Sequence, residues 1–169
     1  MKLYNLQRKQ TIPRRRDEVF AFFSKPENLS LLTPPNLGFN ILTPVPIRIN
    51  EGTLIDYTIR VAGLPVRWKT LITLFDAPKT FVDVQLKGPY SFWHHTHQFA
   101  DTGDSTEMTD SVRYAMPAGF LGSIVHLLFV QRQLKRIFDY REQRLKEFFP
   151  DKGSVVSSTR KENKRRKKV

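Results

Sequence analysis

Between Tyr90 and Tyr114 the chain alternates apolar and polar positions with a period of two. Trp93, His95, His97 and Phe99 therefore share one face of an extended strand. After Asp101-Thr102-Gly103-Asp104 a second alternating run follows, Met108, Asp110, Val112, Tyr114 and Met116. With Gly103-Asp104 as the central turn residues, the two runs form a hairpin in which Thr102 faces Ser105. His97 then lies opposite Asp110, His95 opposite Val112, and Trp93 opposite Tyr114. Both alternating faces fall on the same side of the hairpin, the parity that a shared interior requires. The pattern thus predicts two imidazoles and one carboxylate among aromatic and aliphatic side chains on an inward surface, as in the wall of a cavity.

The same patterns divide the rest of the chain. Leu3 to Ile12 reads as a first strand ended by Pro13. Arg15 to Ser24 carries Val19, Phe20, Phe22 and Phe23 at helical spacing, with Asp17 and Glu18 where the helix dipole favours them. Pro26 opens a second short helix through Leu29, Leu31 and Leu32, and Pro34-Pro35 stops it. Strand-like runs follow at 38–42, 53–61, 66–75, 80–86, 91–100 and 105–116, punctuated by Gly52, Gly63-Leu64-Pro65, Ala77-Pro78 and Gly88-Pro89. In the third strand Ile55, Tyr57, Ile59 and Val61 make an apolar face; in the fourth, Trp68, Ile72 and Leu74 share a face with Thr70. Asp83 and Gln85 form a second inward candidate: the simplest reading of the alternation over 80–86 sends them outward together with Phe81, but the sequence leaves their direction open.

After Pro117 the period changes to that of a helix, from Gly119 to Phe149. Ile124, Leu127, Leu128, Leu134, Ile137, Phe138, Leu145 and Phe148 form its apolar stripe, with charged residues opposite. A straight helix of that length spans roughly 46 Å, longer than a compact domain needs, so it is expected either to overhang or to have an irregular Gly119–Gly122 start. A seven-stranded antiparallel sheet with one apolar face must be covered, and one long helix can grip it. The expected class is α+β, with a curved sheet, two short helices after strand 1 and a long C-terminal helix enclosing a cavity.

Composition narrows the setting. The 169 residues fit one domain, 1–150, with a tail at 151–169. The chain contains no cysteine, which excludes disulfides and thiolate metal sites. The N-terminus is polar and basic, unlike a signal peptide, and the run Ile124 to Val130 is too short to span a bilayer, so a cytoplasmic location is expected. Net charge is +12, of which +6 falls in residues 151–169, where eight Lys or Arg meet only Asp151 and Glu162. With almost nothing apolar to bury, that tail is expected to be disordered. It could make weak contact with anionic membrane or nucleic acid, but it has no aromatic platform for stacking on bases. No specific protein partner can be inferred.

Local wording then adds a resemblance. Phe20 to Leu32 (FAFFSKPENLSLL) with Thr33-Pro34-Pro35, Phe81-Val82-Asp83-Val84-Gln85, Gly88-Pro89, the Trp93/His95/His97/Phe99 strand, and Thr109-Asp110 with Tyr114 and Pro117 resemble bacterial polyketide cyclase/dehydrase-like proteins. That group, like the coenzyme Q-binding type, is part of the START/Bet v 1-like superfamily, or SRPBCC. The resemblance covers roughly residues 3–149 and implies the helix-grip fold. It leaves function open, because the superfamily holds lipid carriers, quinone-binding chaperones, aromatase/cyclases, hormone receptors and oxygenase domains.

Three kinds of chemistry compete for His95, His97 and Asp110. Two imidazoles and a carboxylate are ligand types that suit iron or zinc. A histidine oriented by Asp110 could move a proton in a cyclisation or dehydration. In the simplest reading they do neither, and each histidine is hydrogen-bonded to Asp110, Thr70 or Gln85 and shapes the cavity. His94 falls on the opposite face, and His126 reads as a packing residue. No phosphate-cradling glycine loop, serine nucleophile elbow or cysteine nucleophile is present, which argues against nucleotide enzymes and hydrolases of those types. The expectation is therefore a carrier or sensor of a lipophilic small molecule, with no cofactor and no resident metal. Its ligand-binding residues are Tyr57, Trp68, Thr70, Trp93, His95, His97, Phe99, Asp110 and Tyr114, with Ile124 and Leu128 from the helix. The rival is a cyclase or dehydratase using His95 or His97 with Asp110, and a third reading is an interaction module that docks on anionic membrane or nucleic acid through its basic tail.

Overall fold

The computed structural model of the chain describes residues 1–61, 63–117 and 126–151. Strand β1 (Leu3–Ile12) leads into helix α1 (Arg16–Phe23), a 3-10 turn (Pro26–Asn28), α2 (Leu29–Leu32) and another 3-10 turn (Pro35–Leu37). Six strands follow: β2 (Asn40–Ile41), β3 (Leu54–Val61), β4 (Leu64–Asp76), β5 (Thr80–Lys87), β6 (Phe92–Asp101) and β7 (Thr106–Ala115). A π-helical turn (His126–Val130) runs into the long helix α3 (Gln131–Phe148). The strands form one sheet in the order β1-β7-β6-β5-β4-β3-β2, all pairs antiparallel. The expectations for Ile124, for the side chain of His126 and for residues 152–169 lie outside the described residues.

The β6–β7 register is the one read from the sequence. His97 pairs with Asp110, His95 with Val112 and Trp93 with Tyr114. Gly103 sits in the turn at φ +86°, a left-handed conformation that glycine adopts without steric cost. All five inward positions of β6 and β7 that flank the polar residues, Trp93, Phe99, Met108, Val112 and Tyr114, are buried.

Apolar side chains collect in two main clusters on the concave side of the sheet. In the first, Val19, Phe20 and Phe23 of α1 meet Ile12, Phe81, Phe99, Met108 and Leu145. In the second, Trp68, Trp93, Val112 and Tyr114 of the sheet meet Val130, Leu134 and Phe138. Helix α3 contributes to both and so clamps the sheet along its length. Among the described residues no helix is long and apolar enough to cross a membrane.

Three expectations need correction. Leu74 does not share the inward face of Trp68, Thr70 and Ile72 but is 42% exposed. A β-bulge between Ile72 and Leu74 inserts one extra residue opposite β5, which reverses side-chain parity beyond it. Phe75 takes the inward place and packs on Phe20, with ring centroids 5.4 Å apart. On β5, Asp83 and Phe81 do not point outward: Phe81 pairs with His97 and Asp83 with His95, so both belong to the inner face. The gripping helix also differs from one uninterrupted α-helix. Leu127 and Leu128 are 66% and 62% exposed, whereas Val130, Leu134, Phe138 and Leu145 are buried. The π turn at His126–Val130 is wider than an α turn, so a stripe extrapolated backward at 3.6 residues per turn loses phase there.

Candidate functional site

Sheet, α1 and α3 enclose a cavity of about 400 Å³, a size suited to a small organic ligand. Its wall is largely aromatic and aliphatic. Tyr57 of β3 stacks on Trp68 of β4, centroids 5.8 Å apart and 16° between planes, and Trp68 meets Trp93 edge-on at 5.3 Å. Ile55, Ile59 and Val61 extend this wall along β3, and Leu134, Ile137 and Phe138 close it from α3. Thr70 and Tyr57 bring hydroxyl oxygens within 3.4 Å of each other. Burial holds the Tyr57 phenol protonated, raising its pKa above the usual tyrosine range.

One patch of this wall is strongly polar. His95 Nε2 is hydrogen-bonded to Asp110 Oδ1 at 2.9 Å, and His97 Nε2 to Asp83 Oδ2 at 3.0 Å. His97 Nδ1 is a further 2.8 Å contact from Asp110 Oδ1, off the line of a well-aligned hydrogen bond. His95 Nδ1 lies 3.4 Å from Asp83 Oδ2. Each imidazole is thus flanked by the same two carboxylates. The rings lie 3.8 Å apart, and Phe81 stacks on His97 at 4.2 Å. Behind them Arg141 Nη1 reaches both oxygens of Asp110, at 3.3 and 3.4 Å, with its guanidinium over the Phe138 ring at 5.2 Å.

Burial and charge work against each other in this cluster. Burial pushes the Asp110 carboxyl up, but Arg141 and the two imidazoles outweigh it and hold the group well below the ordinary carboxylate range. Asp83 is lowered in the same way, burial being overcome chiefly by His95 and His97. For His95, burial prevails, helped by the neighbouring His97, and its pKa falls. For His97, burial is outweighed by its contacts with Asp110 and Asp83, and its pKa rises. Two like neighbours are therefore driven in opposite directions, an arrangement suited to a neutral imidazole beside a charged one.

Of the residues expected at the site, Tyr57, Trp68, Thr70, Trp93, His95 and His97 line the cavity. Asp110, Phe99 and Tyr114 are buried but stand behind its surface: Asp110 under the histidines, Phe99 in the α1 cluster, Tyr114 edge-on to Tyr90. Leu128 borders an outer depression of about 360 Å³ instead, together with Arg60, Arg132 and Arg136. Leu37, Phe129, Gln133 and Ile137 border both spaces. Gln85 is engaged by the turn, exchanging hydrogen bonds with the Tyr90 backbone. Tyr90 and Arg141 are cavity residues that sequence patterns did not select, and Asp83, whose direction the sequence left open, lines the cavity with them. For Arg141 a signal existed, since it falls between Phe138 and Leu145 on the stripe that begins at Leu134, a charged residue at an apolar position.

No protein-family model matches the chain, and no curated protein matches it. Solved structures do. A norcoclaurine synthase from Thalictrum flavum in complex with dopamine and hydroxybenzaldehyde is 19% identical, with TM-score 0.61, covering 86% of this chain and 88% of that one. The ZhuI aromatase/cyclase from Streptomyces sp. R1128 is 11% identical, with TM-score 0.63, over 87% and 96%. Ara h 8.0201 is 15% identical, with TM-score 0.57, over 85% and 98%. The chain shares the helix-grip fold of these structures.

Proposed function

We propose that the protein binds a lipophilic small molecule of isoprenoid, quinone, lipid or polycyclic aromatic type between sheet and α3, as a carrier or sensor. The observation that carries this reading is a cavity of about 400 Å³ lined mainly by aromatic and aliphatic side chains, into which His95, His97, Asp83 and Arg141 bring a charged patch. Apolar burial supplies the affinity for such a ligand, and a few placed polar groups orient its oxygen atoms.

The test is direct. An apolar fluorescent probe should bind one per chain and quench the emission of Trp68 and Trp93. Ile59→Trp places an indole in the cavity and should weaken probe binding by about tenfold or more, equivalent to about 1.4 kcal/mol. Unchanged affinity in a folded Ile59→Trp variant would place the probe elsewhere and defeat the reading.

A second reading is favoured by one contact, the 2.9 Å hydrogen bond between His95 and Asp110 beside an open cavity. In it the chain is a cyclase or dehydratase in which His95 or His97, oriented by Asp110, moves a proton. His95→Gln and Asp110→Asn separate the two. A carrier should change affinity only a few-fold, since one hydrogen bond is worth about 1 kcal/mol. An enzyme should lose turnover by about 10²–10⁴ with binding retained. Conversion of a bound ligand by the wild type, abolished in both variants, would replace the carrier reading with the enzyme.

A further inference from the structure

The polar patch holds more ligating capacity than an orienting role requires. Asp110 is an acceptor-only carboxylate, and both histidines bring a nitrogen to its Oδ1, His95 Nε2 at 2.9 Å and His97 Nδ1 at 2.8 Å. On the side away from Asp110, His95 Nδ1 and His97 Nε2 both approach Asp83 Oδ2, at 3.4 and 3.0 Å, and only the His97 contact is a hydrogen bond. Two ring nitrogens and a carboxylate oxygen thus stand together. A single proton on His97 Nε2 satisfies one of the two nitrogens and leaves His95 Nδ1 facing the carboxylate.

We infer that Asp83, His95 and His97 form a binding site for one divalent first-row transition-metal ion, with Asp110 and Arg141 as its supporting layer. One donor atom from each of the three residues lies within 4.8 Å of the other two. Bonds of about 2.1 Å from N and O to such an ion make donor–donor edges of about 3.0 Å at right angles and about 3.4 Å in a tetrahedron. The 3.0 and 3.4 Å separations from Asp83 match two of those edges. A histidine ligand characteristically gives its other N–H to a carboxylate, which sets its tautomer and raises its basicity; Asp110 takes that place for His95 by a hydrogen bond and lies 2.8 Å from His97 Nδ1. Arg141 in turn fixes Asp110 and offsets its charge.

Charge and access agree with this assignment. With both imidazoles neutral, as metal ligands must be, two carboxylates against one guanidinium leave a net negative charge, which a divalent ion turns into a single positive one. Asp83, His95 and His97 all line the cavity, whereas Asp110 does not, so the ion's open positions face the bound molecule. An oxygen of that molecule, anionic or carbonyl, would complete the coordination. Two imidazoles select zinc or iron over magnesium or calcium, which require oxygen ligands. The carboxylate ligand is Asp83, on a different strand from Asp110.

This inference goes beyond the ligand-binding reading and is tested without any organic ligand. Full-length protein stripped with a chelator is titrated with Zn²⁺ by calorimetry and with Co²⁺ by NMR. One ion should bind per chain. Asp83→Asn and His97→Gln should each lower Zn²⁺ affinity at least 100-fold, Asp110→Asn by about 10- to 100-fold, and His94→Gln should leave it unchanged. In the unsubstituted protein, Co²⁺ should displace the imidazole resonances of two of the chain's four histidines, and the same two in His94→Gln. That NMR readout holds even where a variant fails to fold. Absence of stoichiometric uptake, or uptake indifferent to Asp83→Asn in a folded variant, would overturn the site and leave the cluster as a proton-sharing network.

Discussion

An Arg141→Met variant should lose about 3–5 kcal/mol of folding stability, the cost of leaving a buried charge without its partner. Arg141 has a side chain only 11% exposed, and it is the guanidinium that touches both oxygens of Asp110. Methionine keeps much of the aliphatic length against Phe138, so the loss reports the charge and its hydrogen bonds rather than a cavity. The double variant Arg141→Met with Asp110→Asn should regain a substantial part of that loss, because no uncompensated carboxylate then remains. Urea unfolding of the four species measures the coupling. Simple additivity of the two substitutions would mean that Arg141 does not hold Asp110, and the support assigned to it would fall.

The second large effect lies at the other end of the fold. Phe20→Ala should destabilise by about 3–5 kcal/mol. Phe20 is 5% exposed and its ring meets Phe75, Phe81 and Phe99 at 5.4, 6.0 and 5.3 Å. Those contacts anchor α1 against β4, β5 and β6, next to His97. Leu128→Ala, in contrast, should stay within about 0.5 kcal/mol, as expected of an exposed position. The pair of variants probes the phase of the gripping helix. A comparable cost for both would mean that Leu128 packs inward, as uninterrupted helical periodicity from Gly119 predicts.

Two features of this chain are local and therefore readable in one dimension. The β6–β7 hairpin is one: a two-residue turn sets the register, and alternation with period two assigns faces, so the pairing of His97 with Asp110 follows from positions 93–114 alone. The other is the resemblance carried by the residues from Phe20 to Pro35 and by the Trp93–Phe99 strand, which with the order of elements leads to the helix-grip fold that the solved structures share.

Every step that depends on a partner strand or on the pitch of a turn needed the folded chain. Side-chain direction on β5 depends on its register against β6, and on β4 it depends on a bulge against β5, neither of which has a turn signature at the residues it affects. The direction of Asp83 is therefore open in one dimension, and only the register places it opposite His95. The π turn breaks the stripe of the last helix in the same way, moving Leu128 out. Arg141 is visible as a charge on an apolar stripe, but its partner is 31 residues away in sequence on β7. Residue order alone thus settles which face of one hairpin carries the histidines. The second carboxylate and the guanidinium arrive only with the packing of β5 on one side and α3 behind, because contacts between distant segments are set by how the sheet registers and curves, and no short-range pattern records that.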